Sequence, residues 1–276
     1  EQLNPQNGLY TLVERAPGEP VMRVVGSVAG VIIAPEEHER LMALLTAPET
    51  RIVSLTITEK GYGLDRETGG VDMADPAIAA DLANGLTRPE SAAGLITAAL
   101  RARRDSGAGP FTVLSCDNLP HNGAVIRALV LDMAQRIDPS LAQWISETVT
   151  FPSTMVDRIT PVTREETFAD VARTLGVEDK AATEAEPFIQ WVVEDAFCAG
   201  RPNWEVSGAL FVEDVAPFEM MKLRMLNGTH SLLAYTGFLL GHRYVRDVMA
   251  DTDLDALVRR HVHAAAATLP PVPGID

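Results

Sequence analysis

Short apolar segments alternate with amphipathic stretches along the first half of the chain. Residues 51–58 and 111–116 are rich in apolar and β-branched side chains, a composition typical of buried parallel strands. Residues 91–104 and 123–137 repeat apolar positions at helical spacing. This alternation predicts an α/β domain with a mainly parallel sheet.

The pattern changes in the second half of the chain. Residues 151–212 are irregular, with several prolines and one strand-like segment at 189–193. From Pro217 onward the pattern is helical again, with breaks near residues 241 and 250. We therefore predict two domains, residues 1–212 and residues 213–276, of which the second is mostly α-helical.

Composition narrows the class of protein. A chain of 276 residues with 46% hydrophobic and 22% charged residues is typical of a soluble globular protein with one or two domains. The net charge of −15 argues against nucleic acid or an anionic membrane as a partner. No apolar run approaches the ~20 residues that cross a bilayer. Cys116 and Cys198 are too few for a disulfide framework, so we expect a cytoplasmic protein with free thiols.

Polar residues follow two of the predicted parallel strands. Ligands of such sheets lie beyond the carboxyl ends of the strands, where Lys60 and the pair Asp117 and Asn118 fall. All three are therefore candidates for chemistry. The alternatives are a solvated loop lysine at position 60 and an Asx turn that closes the strand at Asn118.

A second group of candidates opens the helical region. At about 100° per residue, Lys222, Asn227 and His230 fall within an arc of roughly 140° on one helix face. A buried amine gives up its proton more easily, an amide donates to a developing oxyanion, and an imidazole positions a hydroxyl. The alternative is an amphipathic helix with a lysine that reaches solvent, a capping asparagine and a buried histidine. The apolar neighbours expected to bury this helix are Leu223, Met225, Leu226, Leu232, Leu233 and Tyr235.

Five motifs in order resemble one enzyme family. They are Ser-Cys-Asp-Asn at 115–118, Phe-Pro-Ser-Thr-Met-Val-Asp-Arg at 151–158, Glu-Pro-Phe-Ile-Gln-Trp at 186–191, Ala-Gly-Arg-Pro-Asn-Trp-Glu at 199–205 and Phe-Glu-Met-Met-Lys at 218–222. Each motif is weak alone, but together they are similar to the polyol-specific long-chain dehydrogenases, the family of mannitol 2-dehydrogenase and fructuronate reductase. The resemblance extends from about residue 8 to residue 274.

The resemblance implies a fold, a cofactor and a set of roles. The expected fold is a Rossmann-like domain followed by a helical substrate domain. The expected cofactor is NAD, and the preference for NAD over NADP stays open. Lys222 would be the general acid/base, and Asn118 and Asn227 would donate hydrogen bonds to the reacting oxygen. The remaining implied contacts are His230 and Asp157 with substrate, and Thr56, Thr58 and Asn118 with the cofactor. For Asp157 the alternative is an ion pair with Arg158.

The substrate is the less determined part of the resemblance. The segments at 59–62, 117–120 and 220–228 are more similar to fructuronate reductases, which interconvert D-fructuronate and D-mannonate. Lys60 would pair with the uronate carboxylate. The alternatives are a mannitol 2-dehydrogenase, which interconverts mannitol and fructose, and a non-catalytic module that binds a sugar acid. In each case a small molecule is the expected partner, and the oligomeric state stays open.

Two observations indicate how much of an NAD enzyme this sequence contains. No Gly-x-Gly-x-x-Gly turn occurs in the sequence, and the chain begins with Glu1 rather than Met. We therefore expect a central fragment of such an enzyme, without the first glycine-rich unit and the last helices. The histidines and cysteines lack the spacing of a zinc site, so we expect no metal.

Overall fold

The computed structural model describes residues 2–275. The chain divides into two compact units, the first ending at Leu210 and the second beginning at Phe211. The strands are β1 (Tyr10–Glu14), β2 (Val21–Val25), β3 (Ile52–Leu55), β4 (Thr112–Ser115), β5 (Thr154–Asp157), β6 (Thr183–Ala185), β7 (Gln190–Glu194) and β8 (Leu210–Val212). The helices are α1 (His38–Thr46), α2 (Pro76–Ala83), α3 (Ala92–Ser106), α4 (Asn122–Ile137), α5 (Pro139–Thr148), α6 (Glu165–Leu175), α7 (Ala216–Met221), α8 (Gly228–Leu239), α9 (Val245–Ala250) and α10 (Thr252–Ala266).

The strands of the first unit pair in both directions. β3 pairs with β4 in parallel, and β1 pairs with β6 in parallel. β1 pairs with β2 and β5 pairs with β7 in antiparallel ladders. The strand orders are β2-β1-β6, β3-β4 and β5-β7-β8. The predicted α/β class is confirmed, and its strands form both parallel and antiparallel pairs.

The main core surrounds the β3–β4 pair and is covered by α3, α4 and α5. β4 is buried along its whole length, as expected for a continuous apolar strand. Helix α3 begins at the Ser91 cap, whose hydroxyl accepts from the Gly94 N–H, and ends at Gly107 with φ of 74°. Side chains such as Leu100, Ile126, Met133 and Leu141 are fully buried in this core. Local capping and apolar spacing therefore account for this layer.

Residues 151–212 contain more regular structure than the sequence analysis predicts. Helix α6 lies within them, with Glu165 and Glu166 in its first turn and Gly176 at its C-cap. These are ordinary helix signals, so the expectation of an irregular segment is wrong at α6. A buried network joins this helix to the sheet, because Arg15 pairs with both Asp170 and Glu184.

The second unit consists of short helices with a small core. Leu233, Val248, Leu254 and Val258 form that core. Helix α10 begins at Asp251, whose carboxylate accepts from the backbone N–H groups of the next turn. Along residues 2–275, no helix is both long and apolar enough to cross a membrane.

Candidate functional site

The carboxyl ends of β3 and β4 bring several predicted site residues to one edge of the sheet. Leu55 is opposite Ser115 in the parallel register, and the Cys116 N–H donates to the Leu55 carbonyl at 2.8 Å. Thr56 and Thr58 therefore leave the sheet beside Asn118, and all three are exposed. Exposed polar groups at this edge are in the place where α/β sheets receive a ligand.

Asp117 fixes the turn that follows β3. Its carboxylate accepts from the Ile57 N–H at 3.0 Å, the Thr58 N–H at 2.8 Å and the Tyr62 hydroxyl at 2.8 Å. The Tyr62 hydroxyl also bonds the Ser115 hydroxyl. Three donors converge on one carboxylate, so the turn after β3 and the end of β4 form one unit. We call Asp117, Ile57, Thr58, Tyr62 and Ser115 the strand-end network.

Thr58 has an unusual backbone within this network. Its φ of 61° and ψ of 163° lie in a region that is essentially restricted to glycine. Holding a β-branched residue there costs about 1–3 kcal/mol and requires surroundings that fix the backbone. Asp117 supplies part of that restraint. Backbones of this kind concentrate at ligand and active sites.

Burial sets the protonation of two members of this edge. Burial raises the pKa of the Tyr62 phenol well above its usual value, so Tyr62 stays protonated and donates to Asp117. Burial also raises the pKa of the Cys116 thiol to about 11, so this thiol is not a nucleophile near neutral pH. In the strand-end network the Tyr62 hydroxyl is thus a donor, and the Asp117 carboxylate is its acceptor.

Asn122 connects the end of β4 to the start of β5. Its side chain is fully buried and donates to the carbonyls of Asp117 and Thr154, both at 2.9 Å. Its amide oxygen accepts from the Thr154 N–H at 3.0 Å. Asp157 is the last residue of β5, pairs with Gln190 of β7 and is half-buried. The neighbouring Arg158 binds Glu14 at 2.5 Å.

Lys60 lies in a 3-10 turn, Glu59–Tyr62, that follows the strained Thr58. It is exposed, and its ammonium has no ion-pair partner within residues 2–275. Its neighbour Glu59 instead pairs with Arg66. Lys60 is thus a cation that remains available to an anionic ligand.

The second unit contains the other candidates, and its helix departs from the expected geometry. Lys222–Asn227 is a π-helix, inserted between α7 and α8. The Gly228 N–H donates to the Leu223 carbonyl, five residues back, instead of the residue four back. The arc of roughly 140° for Lys222, Asn227 and His230 assumed 100° per residue throughout, and the π turn does not follow that value. In a π turn, residues five apart stack one turn from each other, so the amine and the amide are on neighbouring turns of one face.

The surroundings of this π-helix also differ from expectation. Leu223, Leu226 and Tyr235 are 55%, 47% and 73% exposed, so the expectation that they bury the helix is wrong. Lys222 and Asn227 are half-buried, and His230 in α8 is exposed. Amphipathic spacing does not specify which neighbour covers a face, which is why the burial was overestimated.

Helix α10 and the turn after it hold the π-helix in place. Arg224 donates to the Thr268 carbonyl at 2.6 Å and to its hydroxyl at 3.0 Å. The His261 Nε2 atom faces Gly228, where a Cβ would lie 3.5 Å away. This Nε2 is buried and has no hydrogen-bond partner within residues 2–275. π-helical segments of this type occur frequently at functional sites.

The sequence analysis missed Asp117 and Asn122 as organising residues. Its candidates Thr56, Thr58, Lys60, Asn118 and Asp157 lie in the first unit, and Lys222, Asn227 and His230 lie in the second. An Asp-Asn pair at a strand end signalled a functional turn, but the partners of Asp117 are about sixty residues away along the chain. Among the described residues, no group of three His, Cys, Asp or Glu side chains is placed to hold a metal ion.

Comparison with known proteins places the chain in one class, the dehydrogenases with a Rossmann domain and a separate C-terminal domain. The profile of the mannitol dehydrogenase Rossmann domain matches residues 1–206, and that of the mannitol dehydrogenase C-terminal domain matches residues 214–276. The chain belongs to the mannitol dehydrogenase family.

The chain is similar to three relatives whose names or structures are known. D-mannonate oxidoreductase of Escherichia coli is 49% identical over 91% of the chain and 52% of its own length. A crystal structure of D-sorbitol dehydrogenase in substrate-free form is 40% identical, with a TM-score of 0.94, over 100% of the chain and 57% of its own. Pseudomonas fluorescens mannitol 2-dehydrogenase, in a ternary complex with NAD and D-mannitol, is 43% identical with a TM-score of 0.89. This match covers 99% of the chain and 56% of the length of that enzyme. The chain thus spans about half the length of the relatives it matches.

Proposed function

We propose that this chain is part of an NAD-dependent dehydrogenase that interconverts D-fructuronate and D-mannonate by hydride transfer. The observation that carries the proposal is the π-helix, because it sets the Lys222 amine and the Asn227 amide one turn apart in a chain of the mannitol dehydrogenase family. NAD would accept the hydride when the alcohol is oxidised and return it when the ketone is reduced. An amine and an amide are the groups needed at the substrate oxygen.

The strand ends of the first unit fit a dinucleotide. Thr56, Thr58 and Asn118 are exposed polar residues at the carboxyl ends of a parallel pair, and the strained Thr58 backbone is fixed by Asp117. Such a preformed polar edge suits the ribose and nicotinamide of the cofactor. We assign cofactor contacts to these three residues. The similarity to a mannitol 2-dehydrogenase in complex with NAD supports NAD as the cofactor that these residues would contact.

The reaction divides the work at the substrate oxygen among three side chains. During oxidation, the Lys222 amine takes the hydroxyl proton as the carbonyl forms, and during reduction the ammonium returns it. Asn118 and Asn227 donate N–H bonds to the oxygen while it carries negative charge. His230 holds a neighbouring hydroxyl, and Asp157 orients the substrate. These roles follow the family resemblance and use only groups that this chain carries.

The uronate substrate is the more specific part of the proposal. The identity of 49% to D-mannonate oxidoreductase supports it, and Lys60 offers an unpaired cation beside the strand ends. A protein with net charge −15 would otherwise repel a carboxylate. The alternative is a mannitol 2-dehydrogenase, which the 43% identity to that enzyme's complex with D-mannitol supports equally.

Specificity constants separate the two activities. We expect the full-length protein to prefer fructuronate over fructose in kcat/KM, with NADH as reductant. A charge-assisted hydrogen bond contributes about 1.5–3 kcal/mol, so Lys60→Gly should narrow the preference by about ten- to a hundredfold. Lys180→Gly is the control, because Lys180 is an exposed lysine 3.8 Å from Glu178. A wild type that prefers fructose would overturn the uronate assignment, whereas a ratio unchanged by Lys60→Gly would remove only the role of Lys60.

A further inference from the structure

The strand-end network gives Asp117 more contacts than the closing of a strand requires. An Asx turn needs one bond from a side chain to a nearby backbone N–H. Asp117 accepts from two backbone N–H groups and one hydroxyl, and all three donors belong to residues 57–62, on the neighbouring strand's turn. Its backbone carbonyl is itself fixed by Asn122. The carboxylate is therefore anchored on one side and restrains a distant segment on the other.

We propose that Asp117 is a positioning residue of the reaction, which sets the Thr58 backbone and the adjacent Asn118 for cofactor and substrate. The inference rests on the proposed function, because it takes those two residues as the groups that act. Asp117 itself touches neither reactant and works through its neighbours.

Thr58 is the reason that this restraint matters. Its backbone at φ 61° and ψ 163° is one that a threonine leaves unless its surroundings hold it. Two of the restraining bonds are on residues 57 and 58 themselves, at 3.0 and 2.8 Å. Without the carboxylate, Thr58 relaxes to an ordinary conformation and the strand-end edge changes shape. A small displacement of a positioned group lowers the rate strongly.

Tyr62 extends the restraint into the core. Its ring is 1% exposed, and its hydroxyl joins Asp117 to Ser115, the last residue of β4. The contact fixes Asp117 relative to the rigid β3–β4 pair rather than to the loop alone. Sites supported by strands are more exactly placed than sites supported by loops.

Asp81 offers a matched control within the same unit. It is buried and, like Asp117, accepts from two backbone N–H groups, those of Glu90 and Ser91, and from one hydroxyl, that of Ser91 at 2.6 Å. Its donors lie just before α3, in a segment that contains none of the proposed site residues. Asp81→Asn therefore removes an equivalent set of bonds from the scaffold.

The experiment compares Asp117→Asn with Asp81→Asn in the full-length protein. We expect both variants to lower the thermal midpoint, but only Asp117→Asn to lower kcat, by about 10- to 100-fold. In an Asn118→Ala background the added loss from Asp117→Asn should be much smaller, because the two residues act together. If Asp117→Asn does not fold, Tyr62→Phe removes one donor and should lower kcat by about threefold or more.

The outcomes separate this inference from the proposed function. An active wild type whose kcat stays within threefold in Asp117→Asn, or in Tyr62→Phe where Asp117→Asn does not fold, overturns the inference alone. A loss in Asp81→Asn equal to that in Asp117→Asn does the same, because it would show a general effect of lost stability. The inference would also be overturned if Asp117→Asn lowered kcat by the same factor in the Asn118→Ala background as in the wild type. A wild type that oxidises neither sugar acids nor polyols overturns the proposed function, and the inference with it.

Discussion

The strand ends of the first unit and the π-helix of the second hold their candidate residues in different ways. At the strand ends, polar side chains fix each turn, as Asn122 and Asp117 do with six hydrogen bonds at 2.8–3.0 Å. Around the π-helix, large apolar side chains remain in solvent. Phe238 and Leu239 of α8 are 80% and 81% exposed.

The difference shows what each kind of sequence signal can specify. A polar side chain fixes a turn only through particular partners, and those of the Asp117 carboxylate lie in another segment of the chain. An apolar stripe specifies only that something apolar should cover it. One buried cluster of the second unit has four side chains, while apolar residues such as Leu226 and Phe238 of that unit are exposed. A helical pattern in the sequence therefore does not predict what surrounds Lys222, Asn227 and His230.

The largest expected effect tests the π-helix directly. Lys222→Ala in the full-length protein should lower turnover by a factor of about 10² to 10⁴, because it removes the group that we propose as the proton donor and acceptor. Coenzyme affinity should stay near that of wild type, since the cofactor contacts are assigned to the strand ends. Steady-state kinetics and NADH titration measure the two quantities.

Lys180→Ala is the control for loss of a lysine, since Lys180 is exposed and its recorded ion pair with Glu178 is long. Turnover within a few-fold of wild type in Lys222→Ala would contradict the assignment. It would also show that the π-helix is only a structural irregularity.

The next effect tests whether the exposed apolar side chains are in solvent. Leu233 and Leu239 both lie in α8, but they are 7% and 81% exposed. Leu233→Ala should lower the free energy of unfolding by about 2 kcal/mol or more, because it opens a cavity. Leu239→Ala should change it by less than about 0.5 kcal/mol, as is usual for surface positions.

Urea denaturation, followed through the transition of the second unit, gives both values. Leu141→Ala in the fully buried part of α5 provides the reference for the first unit, with an expected loss of about 2–5 kcal/mol. Equal losses in Leu233→Ala and Leu239→Ala would mean that the face of α8 is covered in solution.

Local signals explain why the first unit could be largely predicted from the sequence. The strands β3 and β4 lie in segments that are largely apolar or β-branched, and α3 is bounded by a serine cap and a glycine with positive φ. Helix α6 shows the same kinds of signal. The sequence analysis nevertheless predicts an irregular segment there, because several prolines lie in residues 151–212. The error at α6 was one of interpretation, and the information was present in the sequence.

The remaining features could not be predicted for physical reasons. A helical repeat near 100° per residue does not distinguish a hydrogen bond to the fourth residue from one to the fifth, so the π-helix at 222–227 leaves no sequence signature. The bonds of Asp117 join residues about sixty positions apart, which only the folded chain brings together. The candidate residue types were visible, but their surroundings were not.

The smallest expected effect is on the pH dependence of unfolding, and it compares one helix cap in each unit. Asp138 caps α5, where its carboxylate accepts from the Ser140 hydroxyl at 2.7 Å and pairs with Arg104 at 3.0 Å. These contacts lower the pKa of Asp138 to about 2, and the hydrogen bond from the Ser140 hydroxyl is the largest cause. Asp251 caps α10, and the backbone N–H of Leu254 is the main cause that lowers its pKa. Two caps of the same type thus differ in their charged partners.

The sign of the pH dependence follows from the direction of these shifts. Both carboxyls have a lower pKa in the folded state than the ~3.9 of an unfolded chain, so their stabilisation is complete above that pH and is lost as the pH falls. For Asp138 the loss falls between about pH 4 and pH 2. Asp138→Asn should therefore flatten the acid dependence of unfolding in this window, and Asp251→Asn should flatten it less, because its nearest cation is His242 at 3.7 Å. Urea titrations at several pH values measure the slopes, and identical slopes for wild type and Asp138→Asn would show that the Arg104 and Ser140 contacts do not form in solution.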